Sequence, residues 1–109
     1  MFRLFIATIL AIGVTNAAAS TQTGKITKIL VRSDGLHYFY LSGPRGEKPH
    51  CATNHAYWMI KDESTTYGKS QFSMLLAAYM TNKTVKIFGS AECTRWGDGE
   101  DIKTVLLEE

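Results

Sequence analysis

Two cysteines, two prolines and a near balance of charge leave this 109-residue chain little for several common chemistries. Cys51 and Cys93 do not form a Cys-x-x-Cys pair, so a thiol redox centre is not expected. No stretch of ~20 apolar residues is present, so no membrane-spanning helix is expected. No cluster of roughly four to eight Lys or Arg occurs to dock the chain on anionic lipid. A net charge of +2 gives no electrostatic basis for binding nucleic acid. There is no Gly-x-Ser-x-Gly nucleophile motif, and scattered carboxylates do not define a glycosidase pair. The chain is therefore not expected to be an enzyme. His37, His50 and His55 include no i,i+4 pair, so no zinc site is expected. Asp98, Glu100 and Asp101 are too few and wrongly spaced for an EF-hand calcium loop. No metal or cofactor follows from these residues.

What is present begins with the first nineteen residues. Arg3 supplies a positive start, Leu4 to Val14 is apolar or small, and Ala17-Ala18-Ala19 offers small side chains. That is the layout of a secretory signal peptide over 1–19, with cleavage expected between Ala19 and Ser20. No cysteine follows the apolar run, so a lipidated anchor is not indicated. The expected mature domain is 20–109, a single unit in an oxidising compartment, secreted or periplasmic. Arg3 leaves with the leader, so 11 basic residues face 10 acidic ones. A domain this small often needs a staple. Cys51 and Cys93 are the one available pair, and a disulfide between them is expected.

Periodicity orders the domain. Gly24 to Val31 alternates and then turns apolar, which predicts a strand. Ser33-Asp34-Gly35 predicts a tight hairpin turn. Leu36 to Leu41 returns as a second strand, ended by Gly43-Pro44-Arg45-Gly46. A third strand is expected within His50 to Ile60, most strongly over Tyr57 to Ile60. Phe72, Leu75, Leu76, Tyr79 and Met80 then recur at helical spacing, predicting a helix from Gly68 or Ser70 to about Asn82. Thr84 to Phe88 and Asp101 to Leu107 are the last strands. The order β-β-β-α-β-β predicts an all-β domain with one helix, as a five-stranded barrel of the oligonucleotide/oligosaccharide-binding (OB) type. A small α+β sandwich is the alternative; closure into a barrel removes the exposed edges that five short strands would otherwise leave.

The helix carries a second apolar series, Met74, Ala77 and Ala78, and no charge from Ser70 to Asn82. A helix apolar all round is buried on more than one side. Self-association through Met74, Ala77, Ala78 and Thr81 is one reading; a covering loop, or modest exposure of small residues, is the other. Barrels of this type bind ligands on the face of strands 2–3 and at the loops joining strands 1–2 and 4–5. The last of these loops spans 92–100. In it Trp96 is placed to stack on a sugar, and Asp98 or Glu100 to accept from its hydroxyls. Equally, Trp96 lies close enough to Cys93 to pack on the bridge, with Asp98-Gly99 as a plain turn.

Cys51, Trp58-Met59-Ile60, Gly68-Lys69, Leu75-Leu76-Ala77-Ala78, Lys83-Thr84-Val85-Lys86-Ile87 and Cys93-Thr94-Arg95-Trp96-Gly97-Asp98-Gly99-Glu100 together resemble a family of small exported bacterial proteins. That family is similar in element order to the B subunits of subtilase-type AB5 toxins, which form pentameric rings and bind sialylated glycans. The resemblance implies a sugar-contacting hydroxyl just before the first-strand glycine, which here is Thr23. It also implies an aromatic residue closing the fourth strand; here that position is Gly89, a departure. The helix from Gly68 to Thr81 would line the pore of such a ring. The expectation is thus a non-catalytic binding module, taking a glycan or a protein ligand and assembling as a homo-oligomer, with Thr23, Trp96 and Asp98 at the ligand. A monomeric periplasmic structural or inhibitor-like domain is the alternative.

Overall fold

The computed structural model describes residues 19–108. The expected leader, apart from Ala19, lies outside the described residues.

Five strands close into a barrel. They are β1 (Thr21–Val31), β2 (His37–Leu41), β3 (Trp58–Met59), β4 (Thr84–Gly89) and β5 (Glu100–Leu107). A short 3₁₀ turn, His50–Ala52, precedes β3, and one helix, α1 (Thr66–Met80), separates β3 from β4. Neighbouring strands follow the order β1-β2-β3-β5-β4 and return to β1. All pairs are antiparallel except β3 with β5. This is the OB-type arrangement of an all-β domain with one helix.

β1 serves both sides of the barrel. Thr21 to Lys25 pair with β4, and Ile26 to Val31 pair with β2. A register shift between Ile26 and Lys28 supplies the bend that lets one strand do both. The Asp34-Gly35 hairpin forms as its residues require. Gly35 sits at φ 96°, and its N–H donates to the Arg32 carbonyl at 2.9 Å. β3 is shorter than the Tyr57–Ile60 expectation, and both of its side chains are buried.

The helix begins at Thr66, before either Gly68 or Ser70, because Thr65 caps it. The Thr65 hydroxyl accepts from the Gly68 N–H at 3.1 Å. It ends at the expected place for a definite reason. Asn82 adopts φ 55°, the Lys83 N–H donates to the Ala78 carbonyl at 2.9 Å, and the Asn82 N–H to that of Tyr79 at 3.3 Å. These two bonds are the Schellman closure, which asparagine tolerates better than most residues.

Only part of the stripe marked by the large apolar residues meets the barrel: Leu75 and Phe72 do, and Leu76, Tyr79 and Met80 do not. Gly68, Leu75 and Ala78 are buried, with Gln71, Phe72 and Met74 half-buried beside them. Leu76, Tyr79 and Met80 turn outward, and Met80 is 82% exposed. Two apolar series interleave on this helix. The buried side draws on both, Leu75 and Phe72 from one and Ala78 and Met74 from the other, while Gly68 lets the helix start lie against the preceding connection: a Cβ there would be 1.9 Å from the Asp62 carbonyl oxygen. Ala78, expected at an oligomer interface, is therefore a core residue, packed with Ile26, Phe39, Trp58, Ile60, Leu75, Val85, Ile87 and Ile102. Met74 is half-buried, whereas Ala77 and Thr81 are exposed.

The expected disulfide joins Cys51 to Cys93, with Cα atoms 6.2 Å apart. It ties the 3₁₀ turn before β3 to the loop between β4 and β5. Among the described residues, no helix is long and apolar enough to cross a membrane.

Candidate ligand-binding cleft

Period-two alternation on β2 buries Phe39 and turns Tyr38 and Tyr40 to the other face. Tyr57, one residue before β3, packs beside both, with ring centroids at 5.3 Å from Tyr38 and 5.9 Å from Tyr40. His55 lies against Tyr57 at 5.1 Å and 32°. From the other side, Trp96 projects from the β4–β5 loop and Arg32 from the end of β1. Together with Leu36 and Met59 these residues line a cleft of about 270 Å³. It occupies the β2–β3 face between the β1–β2 and β4–β5 loops, where a barrel of this type presents ligand-binding surface. Lys28 stands over the Tyr40 ring at 5.3 Å, and the Arg32 guanidinium over Trp96 at 4.9 Å. The lining is thus four large aromatic rings and an imidazole, rimmed by two cations.

Asp98 holds the two walls together. One of its oxygens accepts a short hydrogen bond from the Tyr57 hydroxyl. The other is 3.2 Å from His55 Nε2. Burial, then the hydrogen bond and charge of Asp98, push the Tyr57 phenol well above the usual tyrosine range; the Trp96 side chain opposes this weakly. Tyr57 therefore stays a proton donor. The turn that carries Asp98 is compact, with Trp96 bridged to Gly99. Its flanks are pinned: the backbone N–H groups of Thr94 and Arg95 donate to the buried Asp101 carboxylate at 2.9 and 3.2 Å. Arg95 Nε in turn donates to both Glu63 carboxylate oxygens at 2.9 Å. That bond holds the Glu63 carboxyl below its ordinary range.

Of the residues the sequence singled out, Trp96 and Asp98 are brought together here. Trp96 is 39% exposed and lines the cleft directly. One Asp98 oxygen accepts from Tyr57 and the other lies against His55, so its observed part is to fix the turn. Thr23 is elsewhere. It pairs with Lys86 of β4 and borders a shallow groove with Gln22, Pro44 and Arg45. Glu100 is fully buried and does not face the cleft; it serves the barrel floor.

Gly89, where the resemblance implied an aromatic, has no room for any side chain. A Cβ there would fall 1.8 Å from Glu100 Oε2 and 2.8 Å from the Trp58 ring. The residues missed were Tyr38, Tyr40, Tyr57, His55 and Arg32. Alternation around Phe39 already put Tyr38 and Tyr40 on one face; only the pairing of β2 with β3 adds Tyr57 and His55. Among the described residues, no group of three or more His, Cys, Asp or Glu is gathered to hold a metal. Compared with protein-family models, curated proteins and solved structures, the chain matches none.

Proposed function

We propose that the protein is an exported, non-catalytic binding module that takes a glycan in the cleft of Tyr38, Tyr40, Tyr57 and Trp96. The cleft itself is the observation that carries this reading. Sugar rings present a C–H face that stacks on aromatic rings, and hydroxyls that need donors and acceptors close by. The hydroxyls of Tyr38 and Tyr40, the Arg32 guanidinium and the His55 ring are positioned to serve them. The volume suits a ring or two rather than a long chain.

The expected result is saturable binding to a subset of glycans on an array. Trp96→Ala or Tyr38→Ala should weaken it about tenfold or more, as for loss of ~1.4 kcal/mol of stacking. No binding to any glycan at high protein concentration overturns the glycan assignment. Loss of binding in Thr23→Ala with Trp96→Ala unaffected moves the site to the position implied by the toxin resemblance.

A protein-facing role for the helix has its own observation. Leu76, Tyr79 and Met80 turn outward on a stretch without a charged residue from Ser70 to Asn82. A homo-oligomer like the rings of AB5 B subunits would cover it. Light scattering behind a sizing column should then give a multiple of the monomer mass that Leu76→Glu or Met80→Glu reduces to one. A monomer at high concentration removes the ring and leaves a single-barrel domain.

A further inference from the structure

Ser20 is the residue expected to follow the cleavage point, and it is fully buried at the floor of the barrel. Its hydroxyl donates to the Glu47 carbonyl at 2.7 Å, and its own carbonyl accepts from the Gly89 N–H at 2.8 Å. Its backbone nitrogen donates to Glu100 Oε2 at 3.2 Å. The same carboxylate oxygen takes the Ala91 N–H at 3.0 Å, and Oε1 takes Arg45 Nη2 at 2.9 Å. Glu100 has no exposed surface. Gly89, without a Cβ, is what lets this carboxylate lie against β4 and reach Ser20. Ala19, one residue earlier, is exposed. The chain therefore leaves the barrel at the Ala19–Ser20 bond, and the nitrogen of that bond points at a buried acid.

We propose that removal of the leader creates the last ion pair of the fold: hydrolysis of the Ala19–Ser20 bond frees an N-terminal ammonium that seats on Glu100. A signal peptidase supplies the catalyst and water the co-reactant. The C–N bond breaks, Ala19 leaves with a carboxylate, and the Ser20 nitrogen becomes an ammonium. A neutral amide donor is exchanged for a charged one at the same carboxylate, so a hydrogen bond becomes an ion pair. Ser20 is fully buried, so the finished barrel holds its own new terminus. The inference rests on the export reading but not on what the cleft binds.

The charged groups around the site are few. Glu100 comes from β5 and Arg45 from the loop after β2. Glu47, whose carbonyl meets Ser20, carries its carboxylate on the same loop. In the proposed pair the Glu100 charge outweighs burial and Arg45, which both disfavour the ammonium, so the α-amino group gains proton affinity on folding. Its contribution is then fully present below the ordinary α-amino value of ~7.7–8.0 and is lost as pH rises through the higher folded value.

The experiment has two parts. N-terminal sequencing of the chain recovered after export should read Ser20 first; a different start overturns the assignment of the cleavage point. Separately, the chain beginning at Ser20 is compared with the same chain Nα-acetylated, by thermal unfolding from pH 6 upward. The free terminus should melt about 5 °C or more higher near pH 6, and the gap should close as pH rises above the α-amino range. In Glu100→Gln the acetylated and free chains should melt together. Equal midpoints at pH 6 for the two wild-type forms, or a gap unchanged by alkaline pH, overturn the ion pair even where the start at Ser20 is right.

Discussion

Arg45→Met should lower the unfolding free energy by about 3–5 kcal/mol, the usual result of stripping the partner from a buried charge. Arg45 has a side chain only 7% exposed and meets the fully buried Glu100 at 2.9 Å. Its other terminal nitrogen donates to the carbonyls of Ala56 at 3.0 Å and Tyr57 at 3.3 Å, and its guanidinium lies 3.7 Å over the Trp58 ring. Burial pulls the Arg45 pKa down, and the bond to Glu100 pushes it back. Trp58 Nε1 donates to Gln22 Oε1 at 2.8 Å, which extends the polar floor to β1. Met fills much of the arginine stem's volume but leaves Glu100 Oε1 without its guanidinium and two carbonyls without a donor. Arg45→Lys should recover only part, since an ammonium cannot serve three acceptors in a plane and stack on an indole as well. Urea unfolding of both variants checks this. A loss under about 1 kcal/mol for Arg45→Met would show that the carboxylate finds water or another partner.

Replacing Cys51 and Cys93 together by serine should cost about 4 kcal/mol, since the bridge closes a loop of 42 residues in the unfolded chain. For a domain of this size that corresponds to roughly 15–30 °C in thermal midpoint. The effect should reach the cleft, because Cys93 lies three residues before Trp96 and fixes that loop to the turn before β3. Fluorescence can follow this: Trp58 is buried and Trp96 exposed, so a quencher such as iodide should reach Trp96 more readily once the bridge is gone. An unchanged midpoint, with both thiols free in the wild type by mass spectrometry, would show that the bridge is not formed.

The barrel was legible because its signals are local. Alternation in β1, β2 and β4, the Asp34-Gly35 turn and the Asn82 stop each depend on a few adjacent residues. The facing of α1 was not legible. Phe72, Leu75, Leu76, Tyr79 and Met80 read as one stripe, yet the packed face is centred on Leu75 with Gly68 and Ala78, and how far round the helix burial reaches depends on the shape of the barrel end. Glu100 and Asp101 were opaque for a related reason. After Trp96-Gly97-Asp98-Gly99, Glu100 reads as the end of the loop and Asp101 as the start of the strand, and only Arg45, Thr94 and the nitrogens of Ser20 and Ala91, brought from other positions, make their burial possible. The cleft was half-readable. Trp96 stood out as an aromatic in a loop, whereas Tyr57 and His55 acquire a role only through the partner strand and Asp98.

The bare backbone at Gly89 has a bearing on how chains of this shape can diverge. Its missing Cβ and the Glu100 carboxylate occupy one volume, so a side chain at 89 and an acid at 100 exclude each other. A lineage that gains an aromatic at the first position has to surrender the acid at the second, and with it the reason to keep Arg45. Positions 45, 89 and 100 should therefore change as a set, the acid being lost before a side chain can enter at 89.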